Sequence, residues 1–186
     1  MSRTCIFLDG GYLQKVLEKD FNRQRVDFAR VGPLLAAGYE PLLRTYYYNC
    51  LPYQSPDPSA EERERFSKAE KFIYSLQRLP NFQVKLGRLE FRGTDSVTNR
   101  PIFEQKRVDV QLAVDLVTLA FSRQIATAIV VAGDSDFIPA FDAAKNQGVR
   151  IVLFHGQKNS AHRDLLLAAD VTTVMTPELM RQLARA

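Results

Sequence analysis

The sequence has few residues of the kinds that bind zinc or form disulfides. Its 186 residues include only two cysteines, Cys5 and Cys50, and two histidines, His155 and His162. Both cysteines lie in apolar or aromatic stretches without CxxC spacing, which favours buried thiols in a reducing compartment. A Cys/His zinc site would lack ligands. Any bound metal must therefore be a hard cation held by carboxylates.

Long apolar runs are also absent, and no segment is long enough to span a membrane as a helix. The apolar run before Asp9 is too short for the core of a signal peptide. We therefore expect a cytoplasmic protein without a membrane partner. The length favours a single domain over residues 1–186.

The charge is mildly basic, with 25 Lys and Arg against 21 Asp and Glu and a net charge of +4. This excess suits a polyanionic partner. One stretch concentrates the basic residues: Lys85, Arg88, Arg92, Arg100, Lys106 and Arg107. A nucleic-acid track and a basic patch without a binding role explain this stretch equally well.

Short β-branched runs alternate with longer helical patterns, which predicts an α/β fold with a mostly parallel sheet of about five or six strands. The predicted strands are 4–8, 43–49, 83–91, 127–132, 149–154 and 171–175. The predicted helices are 11–19, 27–37, 59–78, 107–122, 135–147, 160–168 and 177–185. The proline-rich stretch 51–59 predicts a loop, and the polar stretch 92–101 predicts a mobile loop or a hairpin tip.

Acidic residues follow two of these strands directly. Asp9 comes after the first strand, and Asp134 comes after the strand 127–132 and Gly133. The carboxyl ends of parallel strands meet at one edge of the sheet, where open α/β sheets bind ligands. We therefore expect the two carboxylates to lie close together.

Helical periodicity adds a third acid, because Asp109 begins an apolar face of the helix 107–122. That face contains Leu112, Ala113, Leu116, Val117 and Ala120. Since the helix starts above the carboxyl ends of the strands, Asp109 should point at the same edge. Asp115 lines up with polar residues instead, which predicts a solvated position outside the site.

Asp136 follows Asp134 by two residues, in the first turn of the next helix. Taken alone, an N-terminal cap is the default interpretation of this position, and a site residue is the alternative. Converging carboxylates without a cation are costly, which favours a Mg²⁺ or Mn²⁺ site at Asp9, Asp109, Asp134 and Asp136. Such a site suits phosphodiester hydrolysis.

Several other side chains are candidates for substrate contacts. Lys106 and Arg107 could hold phosphates, although a solvated helix start explains them equally well. Ser160 most simply caps the helix after it, and a contact to substrate or water is the alternative. For 46–48, three tyrosines, core packing is the default interpretation and stacking of an unpaired base is the alternative.

Four segments together resemble the NYN domain, a LabA-like branch of the PIN-like nuclease superfamily. They are IFLDGGYL at 6–13, KRVDVQLAVDL at 106–116, VVAGDSDFIPAF at 130–141 and SAHRDLLLAAD at 160–170. The resemblance implies a three-layer αβα sandwich of the PIN-like or Rossmann-like kind. It also implies a carboxylate cluster that binds Mg²⁺ or Mn²⁺ and a ribonuclease activity on single-stranded or structured RNA.

Carried onto this chain, the family acids are Asp9, Asp109, Asp134 and Asp136. Asp115 also matches a recurrent family acid, which conflicts with its predicted solvated position. Tyr12 stands where many relatives have an asparagine, at a position for substrate contact.

The leading hypothesis is a metal-dependent ribonuclease, with RNA as its partner and a homodimer as one form of assembly. A non-catalytic RNA-binding or regulatory module is the alternative. A phosphatase of the haloacid dehalogenase type would need a second acid two residues after Asp9, where Gly11 stands.

Overall fold

Strands and helices alternate along the chain in the computed structural model, which describes residues 2–96, 98 and 101–185. The strands are β1 Thr4–Asp9, β2 Leu42–Asn49, β3 Phe82–Leu86, β4 Arg88–Thr94, β5 Pro101–Lys106, β6 Thr127–Val131, β7 Arg150–His155 and β8 Val171–Val174. The helices are α1 Gly10–Asp20, α2 Phe28–Leu35, α3 Ala60–Gln77, α4 Val108–Phe121, α5 Ile138–Asn146, α6 Arg163–Ala168 and α7 Pro177–Leu183. A short 3-10 helix, Ser135–Phe137, precedes α5.

Six strands form one parallel sheet in the order β3-β2-β1-β6-β7-β8. The chain builds the sheet outwards from β1 through β2 to β3, and then outwards from β6 through β7 to β8. The order therefore reverses between β1 and β6. In open α/β sheets this reversal leaves a crevice at the carboxyl ends of the two strands, because their following loops diverge.

Helices cover both faces of this sheet, so the fold is the predicted three-layer αβα sandwich. On one face α4, α5 and α6 bury Leu112, Leu116, Phe141 and Leu165. On the other face α1, α2, α3 and α7 bury their apolar sides. Every residue of β6 is buried, as expected of a strand covered on both faces.

The tyrosines at 46–48 belong to the core. Tyr46 and Tyr48 pack with the α4 side of the sheet, and Tyr47 packs with the opposite side. All three are buried, with exposed fractions of 7%, 0% and 4%. The default interpretation is confirmed, and these rings offer no surface for a base.

The predicted strand 83–91 is wrong as a single element. Its first part is β3 in the main sheet, whereas its second part is β4, which pairs antiparallel with β5 in a separate hairpin. Gly87 separates the two, since a Cβ there would lie 2.4 Å from the backbone oxygen of Lys106. Within the stretch 92–101, residues 92–94 end β4 and residue 101 begins β5, which fits the predicted hairpin tip. Residues 97, 99 and 100 lie outside the described residues.

Both cysteines are free thiols, as predicted, with Cys5 fully buried and Cys50 partly buried. Burial raises the pKa of the Cys5 thiol to about 12, which keeps it protonated and unreactive. Within the described ranges, no helix combines the length and the apolar composition that crossing a membrane requires.

Candidate active site

A cleft of about 470 Å³ opens at the carboxyl ends of β1 and β6, where the strand order reverses. Chain segments from both halves of the fold contribute to its walls. The lining residues are Asp9, Gly11, Tyr12, Lys15, Gln105, Asp109, Gly133, Asp134, Ser135, Asn159, Ser160 and His162. Three of the four aspartates predicted from the sequence therefore face one cleft.

Asp9 ends β1 and caps α1, since its Oδ1 accepts a hydrogen bond of 3.0 Å from the backbone N–H of Tyr12. The pKa of this carboxyl is raised to about 6, chiefly by burial and in part by the nearby charge of Asp109. The Tyr12 amide and the Lys15 ammonium act in the opposite direction. Asp9 thus lies in a partly desolvated position, where a cation would favour its charged form.

Asp109 lies in the first turn of α4, above the buried residues Leu112 and Leu116. Partial burial raises the pKa of its carboxyl, and the charges of Asp134 and Asp136 raise it as well. These repulsions mean that the carboxylates from α4 and from the segment after β6 lie within electrostatic reach of each other. The face assigned to Asp109 by helical periodicity is the one that points to the cleft.

Asp134 and Asp136 lie on the turn that follows β6. The Oδ1 of Asp134 accepts a hydrogen bond of 3.0 Å from the backbone N–H of Asp136 and so caps the 3-10 helix. Asp134 lines the cleft, whereas Asp136 is exposed and does not line it. Asp136 acts on the site through its charge, which reaches Asp109.

The donor atoms of the cleft suit a hard cation, because carboxylate and hydroxyl oxygens are the ligands that Mg²⁺ and Mn²⁺ prefer. The described carboxylates of the cleft do not form a preformed metal site. Among the described residues, no three His, Cys, Asp or Glu side chains are grouped closely enough to hold one ion. The four aspartates thus share a region of the fold without forming a preformed cluster.

Asp115 has a different environment from the solvated one predicted for it. Its Oδ2 accepts a hydrogen bond of 2.8 Å from the Tyr48 hydroxyl, and its Oδ1 lies 3.2 Å from the Lys85 ammonium. Burial and the Asp115 charge raise the pKa of Tyr48 far above its ordinary value. Asp115 therefore joins α4 to β2 and β3, and it does not line the cleft.

Tyr12 lines the cleft, but its hydroxyl is already engaged. It donates to the carbonyl oxygen of Asn159 at 2.7 Å and accepts from the backbone N–H of Gly156 at 3.2 Å. Its ring lies against Gly133, where a Cβ would come within 2.3 Å of it. Tyr12 thus holds the segment after β7 against the segment after β6.

The loop 156–160 carries Asn159 and Ser160 into the cleft and is fixed from α1. The carboxylate of Asp20 accepts backbone N–H groups from Gln157, Lys158 and Asn159 at 2.6, 3.0 and 3.1 Å. The Lys19 ammonium donates to Asn159 Oδ1 at 3.1 Å. The cleft wall that this loop forms is therefore fastened by side chains at the end of α1.

Ser160 is not the helix cap that was predicted, because α6 begins at Arg163 and His162 caps it. The Ser160 hydroxyl lies 3.4 Å from His155 Nδ1, and the same nitrogen lies 2.8 Å from the carbonyl oxygen of Gly156. His155 is buried, and both contacts of its Nδ1 are with the segment that follows β7. Ser160 remains a candidate for contact with a ligand because it lines the cleft.

Lys106 and Arg107 lie at the end of the hairpin and outside the cleft lining. The Lys106 ammonium contacts Glu104. Arg107 takes a left-handed conformation with φ 75° where the chain turns from β5 into α4. Both residues flank the segment that carries Gln105 and Asp109 to the cleft.

The sequence interpretation missed Lys15, Gln105, Ser135, Asn159 and His162. Helical spacing could have found Lys15, since it lies three and four residues after Tyr12 and Gly11 on α1. No sequence pattern indicated that Gln105 would reach the cleft, because β5 was not predicted as a strand.

Comparison with known proteins agrees with this architecture of a parallel α/β sheet with an acidic cleft at the reversal of strand order. The model of the NYN domain matches residues 3–176, so the chain belongs to the NYN domain family. Proteins of this family are generally nucleases of the PIN-like superfamily.

A crystal structure of a protein of unknown function from Vibrio parahaemolyticus has a similar fold. Its TM-score is 0.67 at 15% sequence identity, and the match covers 95% of this chain and 94% of that one. No protein with a curated description matches the chain.

Proposed function

We propose that the protein is a metal-dependent ribonuclease that hydrolyses RNA phosphodiester bonds in the cleft at the β1 and β6 ends. The observation that carries the proposal is that Asp9, Asp109 and Asp134, from three separate elements, line one cleft, where the charge of Asp109 repels those of the other two. Such repulsion is offset by a bound cation. Membership of the NYN family and the net charge of +4 support RNA as the substrate.

Asp9, Asp109 and Asp134 would hold Mg²⁺ or Mn²⁺, and Asp136 would add negative charge from the rim. The bound ion would supply an activated water and would stabilise charge on the phosphate oxygens. Among the chain's own groups, the Lys15 ammonium would attract the phosphate. Gln105, Asn159 and Ser160 would orient the strand through hydrogen bonds, and Lys106 and Arg107 would contact phosphates on either side.

Tyr12 supports the site rather than touching the phosphate, because its hydroxyl already bonds the loop 156–160. This arrangement assigns Tyr12 the work of positioning Asn159 and Ser160. An asparagine at this position would be too short to make both hydrogen bonds to that loop.

The decisive experiment replaces Asp134 by asparagine, which keeps the side-chain oxygen that caps the 3-10 helix. Asp134→Asn should abolish Mn²⁺-dependent cleavage of a labelled RNA while circular dichroism and thermal unfolding show an intact fold. Asp142→Asn on the exposed side of α5 removes the same charge and should leave cleavage unchanged. Cleavage by Asp134→Asn at the rate of the parent would reject the site.

A non-catalytic RNA-binding or regulatory module is the second candidate. It is favoured by the looser arrangement of the carboxylates, since the described residues contain no group of three poised around one ion. This candidate predicts salt-sensitive RNA binding without any product across Mg²⁺, Mn²⁺ and other divalent ions. Product formation that depends on Asp134 would exclude it.

A further inference from the structure

The hairpin of β4 and β5 carries an aromatic surface beside the cleft. Phe91 and Phe103 face each other across the two strands, with ring centroids 5.9 Å apart. Tyr53, from the proline-rich loop before α3, adds a third ring at 6.0 Å from Phe91 and 5.3 Å from Phe103. We call these residues the three-ring surface. Phe91 is still 47% exposed and Phe103 37% exposed, so Tyr53 covers them only in part.

The opposite face of the hairpin carries most of its ion pairs. Arg92 lies 3.4 Å from Glu90 and 2.5 Å from Glu104, and Lys106 contacts Glu104 as well. The cross-strand ion pairs support the hairpin from this side. The exposed rings take no part in these ion pairs.

The three-ring surface is continuous with the proposed active site. Gln105 lies two residues after Phe103 on the same strand, so both side chains point to the same face of the hairpin. Gln105 lines the cleft and lies next to Gly11. The rise along a strand places the two positions about 7 Å apart. A chain that leaves the cleft past Gln105 would meet the aromatic rings next.

Exposed positive charge lies at the base of the same hairpin. Arg88 lies across from Lys106 at this base, on the face with the ion pairs, and Arg107 follows Lys106 directly. Both arginines are exposed, and neither forms an ion pair with another described residue. Exposed aromatic rings on an element that also carries exposed guanidinium groups are a combination that binds unpaired nucleic-acid strands, through base stacking and phosphate contacts.

We propose that the three-ring surface stacks unpaired bases of single-stranded RNA that extends from the cleft. The proposal rests on the proposed function for the identity of the strand, and it adds the site that selects unpaired over paired RNA. Continuity with the cleft through Gln105 favours RNA over a protein partner, and Arg107 at the base of the hairpin adds positive charge for its phosphates. A duplex keeps its bases stacked on one another, so it would gain nothing from the rings.

The test measures binding rather than cleavage. Fluorescence anisotropy in EDTA would give the affinity for a labelled oligouridine and for a blunt RNA duplex. Phe91→Thr and Phe103→Thr remove the rings with residues that favour strands. Each should weaken oligouridine binding about tenfold and leave duplex binding unchanged. Ile102→Thr is the matched control, since Ile102 is 46% exposed on the opposite face of the hairpin, and it should change neither affinity.

Further measurements separate stacking from other causes. Phe91→Tyr keeps a ring and should bind like the parent, which guards against a loss caused by a misfolded hairpin. The slope of affinity against salt should stay unchanged in Phe91→Thr, because a ring makes no ionic contact. Equal losses for oligouridine and duplex would overturn the proposal. So would unchanged binding together with conversion of a dimer to a monomer, since a second copy would then cover the rings.

The outcome is independent of the nuclease proposal. If the parent never cleaves RNA but loses oligouridine affinity in Phe91→Thr, the three-ring surface stands and the catalytic proposal fails. If cleavage depends on Asp134 but the oligouridine affinity is the same in Phe91→Thr, Phe103→Thr and the parent, the catalytic proposal stands and the three-ring surface fails.

Discussion

At the scale of single residues, Asp9 combines two demands that conflict with each other. As the cap of α1 it needs an oxygen near the Tyr12 amide, and as a member of the cleft it places a carboxylate in partly desolvated surroundings close to Asp109. The first demand stabilises the fold, whereas the second costs stability whenever the carboxylate is charged. Functional residues often lower stability in this way.

Asp9→Asn should therefore stabilise the metal-free protein at neutral pH. The folded pKa of about 6 lies above the ordinary value of 3.8, so the folded state binds the proton more tightly than the unfolded state. The contribution of Asp9 to the stability of the parent is then greatest below about pH 4, falls as the pH rises to about 6, and is level above that. The total loss is at most about 3 kcal/mol. Asparagine keeps the helix cap and removes this loss.

Thermal unfolding in EDTA between pH 4 and pH 7 measures this effect. The gap in Tm between Asp9→Asn and the parent should widen as the pH rises through this window. Asp142→Asn, with an exposed carboxyl, should run parallel to the parent. A difference in Tm between Asp9→Asn and the parent that stays constant with pH would show that the charge of Asp9 does not lower the stability of the fold.

The residues of the cleft could be predicted from the sequence where a local rule places them. Strand ends placed Asp9 and Asp134, and helical phase placed Asp109. The same phase rule was wrong about the surroundings of Asp115, because a face that is polar can still pack when Tyr48 and Lys85 provide partners. Those partners come from β2 and β3, which helical periodicity within α4 does not reveal.

At the scale of elements, the loop 156–160 depends on a single carboxylate. Asp20→Ala would remove the acceptor of three backbone N–H groups and release Asn159 and Ser160 from their places. We expect a stability loss of about 2 kcal/mol and faster hydrogen exchange at 157–159. RNA cleavage should fall while the cleft aspartates remain in place.

Asp27→Ala is the matched control for this loop, since Asp27 also accepts a backbone N–H, from Ala29 at 3.1 Å, but at the start of α2. It should lower stability by about 1 kcal/mol without any change in exchange at 157–159. If both variants leave the exchange of the loop as it is in the parent, Tyr12 and Lys19 suffice to hold it and the role given to Asp20 is wrong.

Element types could be predicted well where apolar periodicity is strong, as in the strands β1, β6 and β7 and the helix α4. The hairpin was missed because β3 and β4 read as one continuous run from 83 to 91. Gly87 was the available signal, since a glycine inside a strand pattern indicates a bend or a close backbone approach. The strand β5 is mostly polar or exposed, so its pattern resembles a loop.

At the scale of the whole molecule, stability should be distributed unevenly between the sheet and the hairpin. The strands β1, β6 and β7 lie at the centre, buried beneath helices on both faces. The hairpin of β4 and β5 forms a separate two-stranded sheet with exposed residues along most of β5. Alternation of elements predicts the layers from the sequence, but it does not predict this division, which arises from contacts between distant segments.

Native-state hydrogen exchange should resolve the two parts. Amides of β1, β6 and β7 should exchange only through global unfolding, with the same free energy as denaturant unfolding gives. Amides of β4 and β5 should exchange through local opening at a free energy several kcal/mol lower, because an isolated hairpin is marginally stable. Phe91→Thr should lower the free energy of opening of the hairpin further and leave the free energy measured for β6 unchanged.

Single-stranded RNA should act on the hairpin alone. If bases stack on the three-ring surface, a saturating oligouridine should raise the protection of β4 and β5 and should not alter the free energies of β6 and β7 beyond the general gain from binding. Hairpin amides that are already protected to the level of β6 in the free protein would contradict this division. The hairpin would then be a fixed part of the fold, and its rings would be held in place before any strand binds.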